Sequence, residues 1–184
     1  NEDVKDGKHG HFQCRRSKDL VNWEYMGATM YGLPSWVQPK LNEIRNAMGL
    51  ANSTTNFSDD LQFGYWAPCA RKVKDGLYRM YYCITCPGYI DPTKTSWGER
   101  AFIGVMETTD PSDLSKWEDK GYVITNYSDR DLSKIYVSPT AWESCYYKYN
   151  AIDPSYIITP EGEHWLIYGS WHSGFAAVEL NPET

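Results

Sequence analysis

The sequence lacks two patterns that by themselves often indicate a class of function: a cluster of basic residues and a long apolar run. The net charge is -6, and without clustered Lys and Arg to neutralise phosphates the chain is not expected to bind nucleic acid. No run of about eighteen apolar residues occurs, so no membrane-spanning helix is predicted. The segment after Asn1 does not have the pattern of a secretory leader, and a leader could have been removed.

The sequence also lacks an even set of cysteines. Its five cysteines exclude a complete disulfide framework. Cys83 and Cys86 form a single C-x-x-C with no second pair and no His at ligand spacing. Since a structural zinc site needs four ligands, we interpret both residues as ordinary strand thiols, with a zinc or redox site as the alternative.

Aromatic residues with a polar edge are abundant: 8 Trp and 15 Tyr, against 5 Phe. These side chains suit β-strands, and they also stack on sugar rings. With 184 residues and 41% hydrophobic content, the chain has the size of one domain with a core of its own.

Two interleaved repeats divide the chain. The segment from Ser17 to Gly27 recurs from Pro111 to Gly121, with Asp, Leu, Trp, Glu and Gly in register. A proline followed seven residues later by an acidic residue and Gly occurs at Pro68 and again at Pro154. The two markers alternate, so each repeat unit holds both, and such self-similarity indicates a repeat architecture.

Each unit is predicted to contain four short strands. The predicted strands are 70–73, 77–84, 101–108 and 121–125 in one unit, and 156–159, 164–169 and 175–180 in the next. Four antiparallel strands repeated around an axis form the blades of a β-propeller, in which radial repetition protects strand edges. The predicted class is therefore all-β, with a β-sandwich or meander as alternatives.

An insertion separates the first two units. Leu41 and Ile44 at helical spacing, with Gly49 as a stop, predict an amphipathic helix within 35–49. The predicted organisation is the end of a first blade (1–34), the insertion (35–64), a second blade (65–127), a loop (128–149) and most of a third blade (150–184). Because such an open array leaves strand edges unpaired, we expect the chain to be an internal piece of a longer polypeptide.

Three motifs carry a family resemblance. They are Asn150-Ala-Ile-Asp-Pro-Ser155, Tyr65-Trp-Ala-Pro68 and Arg16-Ser-Lys-Asp-Leu-Val-Asn-Trp23. With them the chain resembles glycoside hydrolase family 43, and within it the endo-1,5-α-L-arabinanases. The resemblance implies a five-bladed propeller, of which about two to two and a half blades are present here. It also implies a cleft on the propeller axis and hydrolysis of arabinan with inversion.

The resemblance further implies three catalytic carboxylates: a general base in the first blade, an Asp in Ile-Asp-Pro that tunes and orients the acid, and a Glu in a later blade as the acid. Only the second maps onto this chain, as Asp153. The base would lie before Asn1 and the acid after Thr184, so the 184-residue chain by itself is expected to be inactive. The family sometimes holds an axial cation, but no ligand set for a metal or cofactor is visible here.

Four further side chains are candidates for binding the sugar by the same resemblance and by their place beside Asp153. They are Trp66, Asn150, Ser170 and Trp171. Trp66 could equally belong to the core, and Asp153 could merely cap a turn. Because a proline restricts the residue before it, Asp153 is expected to be extended, at the mouth of a strand.

The predicted function is hydrolysis of α-1,5-linked arabinofuranose chains in plant cell walls, by a secreted, periplasmic or cell-surface protein whose partner is a polysaccharide or oligosaccharide. Alternatives are an α-L-arabinofuranosidase or β-xylosidase of the same family, or a carbohydrate-binding or protein-binding propeller with a degenerate site. Cys69 stands where the family usually has Asp and favours the last alternative, whereas Asp153, Ser170 and Trp171 together count against it. His9 and His11 are expected to be solvated.

Overall fold

The computed structural model describes residues 3–47, 49–86, 101–125, 149–169 and 174–183. Within these ranges the chain is nearly all β. The elements are β1 (Val4–Lys5), β2 (Lys8–Arg16), β3 (Glu24–Tyr31), α1 (Val37–Ala47), β4 (Gly64–Lys74), β5 (Leu77–Thr85), β6 (Ala101–Thr108), β7 (Glu118–Thr125), β8 (Ser155–Ile158), β9 (His164–Gly169) and β10 (Phe175–Leu180). No helix in the described ranges is long and apolar enough to span a bilayer.

The strands form three antiparallel sheets in chain order. Their strand orders are β1-β2-β3, β4-β5-β6-β7 and β10-β9-β8. The middle sheet has the four strands predicted for one repeat unit, and β6, β9 and β10 have the predicted bounds. The two-residue strand β1 was not predicted, and β7 begins three residues earlier than expected, at Glu118.

Strand β4 also begins earlier than predicted, because it runs through the Tyr65-Trp-Ala-Pro68 motif instead of starting after it. Its register with β5 shifts between Trp66 and Cys69, and Ala67 has a φ of 47°. Such a bulge is one of the few places where a strand tolerates proline, since no ladder hydrogen bond is needed there. Pro68 therefore marks an irregularity within the strand.

The middle sheet is buried on both faces. Along β5, Met80, Tyr82 and Ile84 pack in a core shared with the first sheet and α1. The alternate residues Tyr81 and Cys83 pack in a second core shared with the third sheet. This double burial explains why β5 is a continuous apolar run rather than an alternating one.

Helix α1 completes the first core. Val37, Leu41 and Ile44 lie on one face and are fully buried, as an amphipathic stripe at this spacing requires. Just before the helix, the Nε1 of Trp36 donates a hydrogen bond to Asp119 Oδ2 of β7 at 3.0 Å. The predicted helix is thus confirmed, with α1 ending before Gly49, whose φ is 75°.

A glycine and a tyrosine fit closely across two strands of the middle sheet. Gly104 pairs with Tyr82, and a Cβ at Gly104 would come within 2.5 Å of the Tyr82 ring. The buried Tyr82 hydroxyl donates to Asp119 Oδ1 at 2.6 Å. Burial first, and then the nearby Asp119 carboxylate, raise the pKa of Tyr82, so this hydroxyl keeps its proton.

Candidate active site

Asp153 lies two residues before the start of β8, at the mouth of a strand as predicted, and it is exposed. Its conformation differs from the prediction, because φ is 52° rather than extended. Ala67, which also precedes a proline in the preceding repeat, has the corresponding φ of 47°. The left-handed turn before proline is therefore a shared feature of the two repeats, and it contributes strain of about 1–3 kcal/mol at a residue that is not glycine.

Buried neighbours hold this turn in place. Ala151 and Ile152 are in the second core, and Pro154 is buried as well. The backbone N–H of Gly169, at the end of β9, donates to the carbonyl of Ile152 at 2.9 Å. A fixed backbone thus holds the exposed Asp153 in a strained conformation.

Two thiols lie beneath the turn. Cys69 Sγ accepts a hydrogen bond from the backbone N–H of Tyr156 at 3.4 Å. Cys83 Sγ donates to the carbonyl of Trp66 at 3.4 Å, and the backbone of Asp153 hydrogen-bonds the same sulfur. Cys83 therefore joins the Trp66 and Asp153 motifs across two sheets.

The two cysteines of the C-x-x-C pair lie in buried surroundings, and Cys83 is held in its thiol form. Cys83 and Cys86 are both buried, and burial raises the pKa of the Cys83 thiol to about 12. A thiol held in its protonated form is a poor nucleophile and a poor metal ligand. Within the described ranges no group of three or more His, Cys, Asp or Glu is placed to hold a metal ion, so the axial cation remains a prediction about other parts of the polypeptide.

Asn150 is buried, with 1% of its surface exposed, and among the residues that the structure describes its Oδ1 has no hydrogen-bond donor. A buried acceptor left unpaired costs about 1–3 kcal/mol. Asn150 and the exposed Asp153 belong to the same short segment of the chain. A buried oxygen without a donor among the described residues suits an acceptor for a ligand hydroxyl or a water.

The sequence left open whether Trp66 belongs to the core or contacts the sugar, and its burial in the structure is intermediate. It is half-buried and packs against the second core, and its ring covers Gly64, where a Cβ would meet the indole at 2.9 Å. The predicted site residues Ser170 and Trp171 lie outside the described residues. Gly169, the residue before them, is bonded to the Asp153 segment.

A cluster at the junction of the first two sheets was missed by the sequence analysis. Asp60 accepts from the backbone N–H of His9 at 2.9 Å and faces its Nδ1 at 2.7 Å. His11 stacks on Tyr65, with ring centroids 3.4 Å apart, and its Nε2 is 3.4 Å from Asp60 Oδ2. The expectation that both histidines are solvated is wrong for His11, whose side chain is 9% exposed.

The cluster has a defined charge state. Burial lowers the pKa of His11, although Asp60 opposes the shift. Burial alone would raise the pKa of Asp60, but hydrogen bonds from His9 hold it below its ordinary value. Alternation along β2 places His9 and His11 on one face, and this is the signal in the sequence that could have suggested a shared partner.

The sequence profile of the glycosyl hydrolases family 43 matches residues 5–184. The chain belongs to this family. An extracellular endo-α-(1→5)-L-arabinanase of Thermotoga petrophila is 28% identical over 177 residues, which are 95% of this chain and 33% of the relative. An extracellular exo-α-(1→5)-L-arabinofuranosidase, ArbA, of Cellvibrio japonicus is 28% identical over 168 residues, which are 91% of this chain and 37% of the relative.

Solved structures agree with the family 43 assignment. The structure of Cellvibrio cellulosa α-L-arabinanase matches with a TM-score of 0.56 at 25% identity, over 95% of this chain and 43% of that chain. The chain spans about a third of the length of the curated relatives it matches. The predicted family and the all-β class are confirmed. The predicted site residues and domain bounds stay predictions.

Proposed function

We propose that this chain is part of a glycoside hydrolase that cleaves α-1,5-linked arabinan. The observation that carries the proposal is Asp153, an exposed carboxylate held at the mouth of β8 by a strained, buried backbone turn. Family 43 membership over residues 5–184 supplies the reaction class. The extracellular relatives support secretion of the protein that carries this chain.

In the proposed mechanism Asp153 is a positioning residue that acts through the general acid. Inverting hydrolysis uses two carboxyl groups roughly 6.5 to 9.5 Å apart, with a water between base and sugar. The acid must stay protonated near neutral pH, and a neighbouring anion raises its pKa by like-charge repulsion. Asp153 is the proposed anion, and the base and acid come from other blades of a five-bladed propeller.

Sugar contacts are proposed for four further side chains: Trp66, Asn150, Ser170 and Trp171, of which the last two lie outside the described residues. The half-buried indole of Trp66 offers an apolar face for a sugar ring. The Oδ1 of Asn150, for which the described part of the chain supplies no donor, would accept from a sugar hydroxyl, directly or through a water. Such a contact would give the buried Oδ1 of Asn150 a hydrogen-bond donor when substrate binds.

The test is Asp153→Asn in the polypeptide as its gene encodes it, with release of reducing ends from linear arabinan as the readout. Asparagine tolerates the left-handed conformation nearly as well as aspartate, so folding should be kept. We expect turnover to fall at least about 100-fold, the lower range for losing acid-base assistance, while arabino-oligosaccharide binding persists. Asp75→Asn is the matched control, because Asp75 directly follows the end of β4 that is distant from Trp66. This substitution should change neither turnover nor oligosaccharide binding.

Unchanged turnover in Asp153→Asn would contradict the proposed role, and binding without turnover in the parent protein would favour a carbohydrate-binding propeller. The 184-residue chain alone is expected to release no product, because the proposed mechanism assigns the base and the acid to other blades. An exo-acting arabinofuranosidase is the second candidate, since ArbA is as similar as the endo-arabinanase. Early products separate the two: oligosaccharides of mixed length for endo action, one short product for exo action.

A further inference from the structure

The buried thiol of Cys83 lies between the two motifs of the candidate site. Cys83 pairs with Trp66 across β4 and β5, and its Sγ donates to the carbonyl of Trp66 at 3.4 Å. A backbone hydrogen bond from Asp153 acts on the same sulfur and lowers the pKa of the thiol, against the larger effect of burial. A bond that lowers the pKa of a thiol is donated to the sulfur, so the N–H of Asp153 is the donor.

The next repeat holds its pre-proline segment in another way. Counted from the acidic-Gly turn of each unit, Gly169 takes the place of Cys83. The backbone N–H of Gly169 donates to the carbonyl of Ile152 at 2.9 Å, and Ile152 is the counterpart of Trp66. Cys83 bonds the equivalent carbonyl with its side chain, and the sulfur also accepts from Asp153. The thiol thus adds a bond that the strand pattern does not require.

The segment around Asp153 is bonded to the middle sheet on both sides of Pro154, which has no N–H of its own. Before the proline, the N–H of Asp153 donates to Cys83 Sγ. After it, the N–H of Tyr156 donates to Cys69 Sγ at 3.4 Å. A left-handed residue such as Asp153 persists where its surroundings determine the conformation, and these two bonds contribute to that.

The Cys83 thiol makes its two bonds without titrating. Burial raises its pKa to about 12, so the S–H stays a donor throughout the pH range in which carboxyl groups titrate. A group that donates and accepts at once polarises both bonds in the same sense, which strengthens each of them in buried surroundings. The link between Trp66 and Asp153 is therefore the same at every pH in that range.

We propose that Cys83 is a positioning residue for hydrolysis, whose thiol sets the place of the Asp153 carboxylate relative to the half-buried indole of Trp66. The proposal rests on the proposed function, in which Asp153 raises the pKa of the general acid and Trp66 contacts the sugar. Because charge interactions fall with distance, a displaced Asp153 would raise the pKa of the acid less. Loss of the thiol should therefore affect the pH profile as well as turnover.

The test compares Cys83→Ala and Cys83→Ser in the polypeptide as its gene encodes it, by kinetics on linear arabinan across pH. Cys83→Ala removes both bonds, so kcat should fall about 10-fold, less than the roughly 100-fold that a 1 Å misplacement can cause. The alkaline limb of kcat/KM should move to lower pH. Cys83→Ser keeps a donor and an acceptor, so the limb should stay in place.

Ile103→Val is the matched control. Ile103 lies opposite Cys83 on β6, is equally buried and has no side-chain hydrogen-bonding group, so its truncation perturbs the same core without touching the link. We expect kcat and the alkaline limb to match those of the parent. Because the thiol does not titrate in this range, a limb that moves in Cys83→Ala reports the general acid. An equal movement in Ile103→Val would assign the effect to core volume and overturn the proposal.

Amide hydrogen exchange at Asp153 gives a readout that does not need activity. In Cys83→Ala its N–H loses an acceptor and should exchange at least about 10-fold faster than in the parent, whereas Ile103→Val should leave it unchanged. Unchanged exchange in Cys83→Ala would overturn the positioning role. So would an alkaline limb that moves in Asp153→Asn but stays in place in Cys83→Ala, and the proposed function would then still stand. Full turnover in Asp153→Asn would instead overturn the proposed function, and the catalytic role of Cys83 with it.

Discussion

The left-handed turn at Ala67 leads to a prediction of opposite stability changes at two alanines in one strand. Ala67 has a φ of 47° and an exposed side chain, so Ala67→Gly removes strain and no packing. A left-handed conformation costs an L-residue about 1–2 kcal/mol, and glycine costs about 0.4–1 kcal/mol through the entropy of the unfolded chain. The net expectation is stabilisation by about 0.5–1 kcal/mol.

Ala70, three residues along β4, is the matched control. It is also exposed, but it is not among the residues with positive φ. Ala70→Gly should therefore destabilise by about 0.5–1 kcal/mol. At this chain length these values correspond to Tm changes of about 1–4 °C in opposite directions. Equal signs for the two substitutions in denaturant or thermal unfolding would refute the strain argument.

Three further predictions concern the first core and the histidine cluster. Gly104→Ala should destabilise by about 2–3 kcal/mol in denaturant unfolding, because its methyl group would overlap the buried Tyr82 ring. Asp119→Ala should cost about 2–4 kcal/mol and increase amide exchange in α1, because it removes the hydrogen bonds from Trp36 and Tyr82. The folded-state pKa of His11 is lowered, so its contribution to stability is present above the ordinary value near 6.5 and is lost as pH falls below it. His11→Phe should therefore flatten the loss of Tm between about pH 7 and pH 5.

Each of these three has a contradicting outcome. A Gly104→Ala protein as stable as the parent would mean that the ring can move aside. Amide exchange in α1 that is unchanged in Asp119→Ala would mean that the helix is held by its apolar face alone. An equal pH slope in His11→Phe would show that His11 keeps its ordinary titration in the folded state.

Much of the β-structure could be predicted because the local signals agree with the tertiary environment. The acidic-Gly turns before β5 and β9 and the aromatic, β-branched runs that follow them fix those strands. Leu41 and Ile44 predicted the buried face of α1 because their spacing is helical. In these elements the local pattern and the packing require the same conformation.

The conformation of Asp153 could not be predicted from the proline rule. That rule excludes the right-handed helical region for the residue before proline, and we took the extended region as the outcome. The structure places Asp153 and Ala67 in the left-handed region instead, held by contacts of Ala151 and Ile152 with the second core. Tertiary packing decides between the conformations that the local rule leaves open.

The histidine cluster could not be predicted for a different reason. Asp60 is 51 residues from His9 in sequence, and it comes from the insertion between the first two units. Periodicity and turn chemistry describe neighbours along the chain and not such distant pairs.

The most direct test of the central claim is the pH dependence of kcat/KM for arabinan hydrolysis, measured for Asp153→Asn and for the parent polypeptide. Removing an anion that raises the pKa of the general acid should lower that pKa. The alkaline limb of the profile reports it, so this limb should move to lower pH while kcat/KM falls. An alkaline limb that stays in place, or moves to higher pH, would contradict the assignment of Asp153 as the carboxylate that tunes the acid.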